Sequence, residues 1–556
     1  MKTHTILALA LVAGIAGCAR DTTERAAATE AATPAVAIHY FDTLGAYARP
    51  ISSRHPETQR WFDQGMRLTY GFNHEAAGRS FAEAARLDPT CAICWWGQAL
   101  VLGPNVNLVM QPEAMKPAYE HSRRAVALAE HASPVERALI EALAQRYADP
   151  APAERKALDQ AYANAMAKVV ADFPDDPDAS TLYAEALMDL APWAYWTKDG
   201  EPASPNTPKL VAALESALAR NPDHIGAIHY YVHATEASKT PALAEPYADR
   251  LAELSPGSGH LVHMPAHTYI RVGRYHDATL NNLKATDADQ HFLAYCGGSN
   301  GIYPLGYVPH NWHFIVTTAG LEGNAERAIH AADETAKRAL GKPFEKAPLE
   351  FMQQFLIAPL TARVRFQRWD EILAIGAPPA KLPYPTAIWH YARGRAHAGK
   401  GAVEDAQREL DALATIAADP ALAKVSFQDV NHADAVVKVA VASLRGEIAL
   451  ARGARADAIA ALTNAVAAED ALNYVEPPEW PLQNRHRLGA VLLAAKKPAE
   501  AERVYRADLV VFPKNGWALR GLAEALSAQG RADEAEAAHA AFLDAWQWAD
   551  TELAAE

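Results

Sequence analysis

Between residues 61 and 89 the chain reads WFDQGMRLTYGFNHEAAGRSFAEAARLDP, with small residues at Gly65, Ala77 and Ala84 and a proline at Pro89. The same spacing returns in RLGAVLLAAKKPAEAERVYRADLVVFP, as Gly489, Ala501, Tyr505 and Pro513. Small side chains at fixed offsets let two helices approach closely, and a proline ends the second one because it has no N–H to continue the ladder. Units of this kind cannot bury a core alone. They stack, each hairpin covering the face of the next.

These stretches closely resemble the tetratricopeptide repeat, a 34-residue helical hairpin. In its frame Trp61 falls at position 4, Gly65 at 8, Ala77 at 20, Phe81 at 24, Ala84 at 27 and Pro89 at 32. Gly394 with Ala406 and Gly446 with Ala458 fit the same frame, and Pro174, Pro222 and Pro256 punctuate weaker units. The resemblance implies an all-α, right-handed solenoid with a concave groove, and no particular activity. Two inserts rich in Gly, Pro and aromatics, 191–208 and 294–312, interrupt the array. Loops of that size in a compact array are functional lids or disordered, and their aromatic content favours lids.

The N-terminus, MKTHTILALALVAGIAGC, has a positive Lys2 and an apolar stretch too short for a stable membrane span. Its end resembles the lipobox of bacterial lipoproteins, which implies a signal peptide over 1–18 and lipidation of Cys18. Residues 19–40 then read as a polar tether. The expected setting is the bacterial cell envelope, with a body lipid-anchored to a membrane and facing the periplasm or the surface. Acidic residues outnumber basic ones, 66 to 52, for a net charge of −14, and no basic run follows Lys2. That balance argues against a nucleic-acid partner. Of the remaining cysteines, Cys91 and Cys94 have the spacing of a local disulfide, a metal site or two buried thiols. Trp95 stands where a c-type haem motif has histidine, which removes that reading.

Histidine is concentrated. Residues 224–313 hold ten of the 22 in the chain. His229 and His233 sit at positions 5 and 9 of one repeat, and His263 and His267 occupy the same positions 34 residues on. His260 and His310 fall at position 2, and His313 at position 5. In the tetratricopeptide family, positions 2, 5, 9, 12 and 13 face the groove. Residues i and i+4 share a helix face, and packed helices lie about 8–10 Å apart, so these seven imidazoles converge as ligands for one transition metal. Copper, zinc and iron all suit imidazole. Pro265 is compatible with the first turn of a helix. Glu185 and Glu236, at positions 9 and 12, are readable as ligands, as partners orienting an imidazole, or as a general base. Met188 and Met264 offer soft ligands but are ordinary core residues at helical spacing. Glu476, with Arg485 and His486 following it, either reaches the groove from the C-terminal half or serves as a turn.

The resulting expectation is a tetratricopeptide-type array over 41–340 with a histidine-rich groove, and a second array over 341–556. The groove binds a transition metal, with the inserts as partial lid. The competing reading is a metal-free scaffold that holds a peptide or protein partner of the envelope.

Overall fold

Close packing of rings against glycine organises the hairpins. The computed structural model describes residues 39–295, 302–339, 350–379, 381–427 and 430–552. Phe81, on helix His74–Leu87, lies between Gly65 of helix Pro56–Tyr70 and Gly97 of helix Ala92–Leu100; a Cβ at either glycine would meet the ring at 2.5–2.6 Å. Tyr505 sits in the same way between Gly489 and Gly521, where a Cβ would meet the ring at 2.3 and 2.1 Å. One large side chain thus plugs into two successive first helices, which is the ridge-and-gap packing the repeat frame requires.

The regular structure of the described residues is helical, apart from one short antiparallel pairing of Ser426–Phe427 with Asn431–His432 and two isolated bridges, Asn105 with Leu108 and Trp196 with Pro202. Successive helices pack as hairpins, giving the all-α tetratricopeptide-type fold expected from the sequence. No described helix is long and apolar enough to cross a membrane. The signal peptide, Cys18 and nearly all of the tether lie outside the described residues, as does Cys296.

The two arrays read from the sequence belong to one compact unit, Ile38–Glu556. Tyr275 donates to the Pro513 carbonyl at 2.7 Å, and Trp517 Nε1 donates to the Gly320 carbonyl at 2.9 Å. The turn at Gly323, with φ of +80°, fits beneath the Trp546 ring, where any side chain would collide. The N-terminal hairpin also meets the centre of the chain. Gly226 opens helix Ile225–Thr235 directly beneath the Tyr70 ring, at 2.3 Å from a notional Cβ.

A buried ionic knot fixes the segment before the first helix. Arg49 pairs with Asp176 and Asp178, both at 2.8 Å, and His224 approaches Asp178 at 3.2 Å. Burial works against ionising Asp178, but Arg49 and His224 more than offset it and hold the carboxyl well below its ordinary range. His224 is the N-cap of helix Ile225–Thr235: its Nδ1 accepts from the Ala227 amide at 3.0 Å.

Candidate metal centre

Six histidines from three consecutive first helices converge in two sets. His229, His233 and His260 form one; His263, His267 and His310 form the other, with the donor atoms of each set within 4.8 Å of one another. His229 and His233 ride on helix Ile225–Thr235, and His310 on helix Val308–Leu321. His260 and His263 come from the short helix Gly259–His263, and His267 from Pro265–Val272. Pro265 opens that second helix, as its missing N–H demands, while Met264 keeps helical angles. The i, i+4 relation of His263 and His267 therefore survives the break.

Hydrogen bonds behind the rings set which nitrogen faces inward. His229 Nδ1–H donates to the Tyr70 carbonyl at 2.7 Å. His233 and His267 donate from Nδ1 to the two oxygens of Glu236, at 3.1 and 2.5 Å. His263 Nδ1–H donates to Asn282 Oδ1 at 2.7 Å, and Asn282 fixes its own amide by donating to the Ala278 carbonyl. Four rings thus carry hydrogen on Nδ1 and leave Nε2 free of these backing bonds. Backing by carbonyl and carboxylate acceptors is the usual support for ligating imidazoles. His224 on the same helix has the opposite tautomer and is spent on capping.

Inside the sets, His263 Nε2 faces His267 Nε2 at 2.9 Å, and His229 Nε2 faces His260 Nε2 at 3.0 Å. His233 Nε2 and His260 Nδ1 are buried with no hydrogen-bond partner. Five of the six histidines are at most 3% exposed, and His310 is half-buried. Burial, reinforced by the neighbouring rings, pushes His229, His260, His263 and His310 well below the ordinary imidazole value. Burial also lowers His233, with Glu236 pulling the other way. Burial alone would raise Glu236, but the facing His267 and His233 rings hold it at about 2. The centre is a nest of nitrogen donors backed by one carboxylate. Tetrahedral ligands at about 2.0–2.1 Å from an ion lie roughly 3.4 Å apart, so in each set the close Nε2 pair would spread slightly and the third ring draw in to hold one.

Aromatic side chains wall the cluster. Phe72 contacts His229 and His260 with ring centroids 4.5 and 5.1 Å apart, and Phe314 sits 4.7 Å from both His263 and His267. Both sequence inserts contribute. Trp193, from 191–208, meets His233 at 5.1 Å, and Tyr307, from 294–312, meets His260 at 4.8 Å. Trp196 pins the first insert by donating to the Ala234 carbonyl at 2.7 Å. Tyr303 pins the second, accepting from the His260 amide and donating to Asp289. Phe72 holds φ of 56° at the turn position where Gly273, Gly323, Gly401 and Gly453 also have positive φ in other repeats, and Trp193 holds 62°.

Other residues singled out in the sequence fall elsewhere. His313 joins neither set; its ring packs on Phe355 at 5.7 Å. Glu185 belongs to neither histidine set and has Arg146 and Asp189 as charged neighbours; burial and the Asp189 charge push it up to about 8. Met188 and Met264 are packed in the apolar core. Cys91 and Cys94 are joined in a disulfide at the start of helix Ala92–Leu100 and take part in neither histidine set. His486 pairs with Asp508 at 2.9 Å and Arg485 with Asp470 at 2.7 Å. Glu476 does approach the centre, buried and within electrostatic reach of Glu236 and His267. Tyr474 donates to its Oε1 at 2.8 Å, while its Oε2 has no partner. Burial lifts Glu476 to about 7, against the pull of Arg271 and with the push of Glu236. The sequence signal for the backing acceptors Tyr70 and Asn282 is nil, since both depend on tertiary neighbours.

No protein-family model matches this chain, and no curated protein matches it. Among solved structures it is similar to the human IFIT1 dimer with m7Gppp-AAAA, at 15% identity over 88% of this chain and 90% of that one, with a TM-score of 0.31. It is also similar to the Cut9–Hcn1 hetero-tetramer of APC/C, at 12% identity over 90% and 80%, TM-score 0.33. The TPR domain of P58(IPK) is similar at 12% identity over 86% and 99%, TM-score 0.21. Likenesses this low carry no argument about function.

Proposed function

We propose that this chain is a lipid-anchored protein of the bacterial cell envelope whose helical-hairpin array holds a transition metal, copper, zinc or iron, in its histidine-lined interior. One observation carries the metal reading. His263 and His267 both carry hydrogen on Nδ1, yet their Nε2 atoms face each other at 2.9 Å. Two lone pairs at that distance repel unless a cation or a proton lies between them, and further imidazole nitrogens within 4.8 Å in each set offer the several donors that a metal ion takes and a proton does not. Three protein nitrogens leave a fourth coordination position open, as in catalytic rather than closed structural zinc sites. An ion held this way would keep one coordination position for an exogenous ligand.

A metal-free scaffold for a peptide or protein partner is the competing reading. Burial of the histidines disfavours it at this place, because a peptide cannot reach the five rings that are at most 3% exposed. A protein partner would use another face of the array. Metal content of the purified protein, compared with the His263→Ala, His267→Ala double variant, tests the proposal. Bound metal lost in a folded variant supports it; wild type free of metal after exposure to each of the three ions rejects it. Replacing Cys18→Ser tests the anchor, which predicts release from the membrane fraction.

A further inference from the structure

The two histidine sets are copies of one arrangement. Each takes the residues at positions 5 and 9 of a first helix, then adds the position 2 histidine from the next repeat's first helix. His229 and His233 receive His260 in this way, and His263 and His267 receive His310. Stacked repeats reproduce a local constellation one unit along, so the cluster is a duplicated three-nitrogen site and not a pool of six ligands for one ion. The copies touch. His233 and His267, from different sets, have ring centroids 5.4 Å apart, and His260 and His263 are 5.8 Å apart. Ions paired in two-metal sites sit about 3.5–4 Å apart, a spacing compatible with adjacent sets in such contact.

Glu236 ties the copies together. Its Oε1 orients His233 of one set and its Oε2 orients His267 of the other. With both oxygens engaged on Nδ1 atoms, this carboxylate does not occupy the space between the sets. Imidazole coordinates as a neutral donor, so two nearby cations held by six of them need an anion from solution to offset their repulsion. Each set leaves one position free for it.

Building on the metal reading above, we propose a dinuclear centre: one transition-metal ion on His229, His233 and His260, a second on His263, His267 and His310, and a small oxygen anion such as hydroxide bridging them. The half-buried His310 marks the side from which ions and small ligands enter.

Titration of the metal-stripped, full-length protein with Zn²⁺, followed by desalting and metal counting, tests this. Two ions per chain are expected. His260→Asn and His310→Asn should each retain one ion, with wild-type circular dichroism. Loaded with Cu²⁺ instead, the wild type should give an electron paramagnetic resonance signal integrating to well under half of its copper, because a bridging anion couples the two unpaired electrons. One ion in the wild type overturns the dinuclear centre and leaves the metal reading intact; none overturns the metal reading itself. Loss of both ions from either folded variant, or a signal accounting for all bound copper, also overturns the proposal. Should the variants fail to fold, the wild-type count and signal decide it alone.

Discussion

His263 and His267 turn their Nε2 atoms toward each other at 2.9 Å, and each already has its hydrogen on the opposite nitrogen. The arrangement is held by Asn282 and Glu236 from behind, so the rings cannot turn away without breaking those bonds. Metal-free protein must therefore hold a proton between them or carry the repulsion as a loss of stability, and an ion that binds only the folded state adds stability. At a free Zn²⁺ concentration 100-fold above the dissociation constant, each site contributes about 2.7 kcal/mol. Unfolding followed by circular dichroism should shift upward with Zn²⁺ and back with a chelator. An unchanged midpoint at saturating metal would remove the site.

Glu236 serves one ring in each set, whereas Asn282 serves only His263. Substituting Glu236→Gln keeps the volume but leaves one oxygen to accept from two imidazoles. Loss of such a backing partner costs about 10–100-fold in metal affinity. Competition titration should show both binding events weakened in Glu236→Gln and only one weakened in Asn282→Ala. Equal effects of the two substitutions would mean that the backing bonds are not specific to a set.

The core offers a test of the repeat frame itself. Phe81 fills the gap between Gly65 and Gly97, and is fully buried. Phe81→Ala opens a cavity that neighbouring glycines cannot close, with an expected loss of about 3–5 kcal/mol. Chemical denaturation would measure it, and a loss below about 1 kcal/mol would contradict the plugged-gap packing.

The hairpin frame and the inward face of the first helices were both legible, because glycine, alanine and proline at fixed offsets are a local code. The grouping of ligands was harder. Position numbers place His313 level with His229 and His263, but its repeat has Thr317 at position 9, so no second ring completes a pair. Position 9 in the preceding repeat gave Glu185 a place beside His233, yet it joins neither histidine set and its charged neighbours are Arg146 and Asp189. The approach of Glu476, and of Tyr70 and Phe72, depends on distant repeats folding back onto the centre. Periodicity reports which face a residue takes and says nothing of what will cover that face.

His313 also carries a pH signature that separates it from a ligand. Burial alone lowers it from about 6.5 to about 4. The folded state thus refuses a proton that the unfolded chain accepts between those values. Stability is fully present above about pH 6.5 and is lost as pH falls toward about pH 4, by roughly 3 kcal/mol for a shift of this size. The same sign holds for the lowered histidines of the cluster, so a difference measurement is needed to isolate this one. His313→Leu keeps an apolar side chain against Phe355 and removes the titration. In chelator, urea unfolding of the wild type and of His313→Leu should run apart as pH falls from 6.5 to 4, with the variant losing less. Parallel curves would show that His313 is protonated equally in both states, and that the burial argument fails at this position.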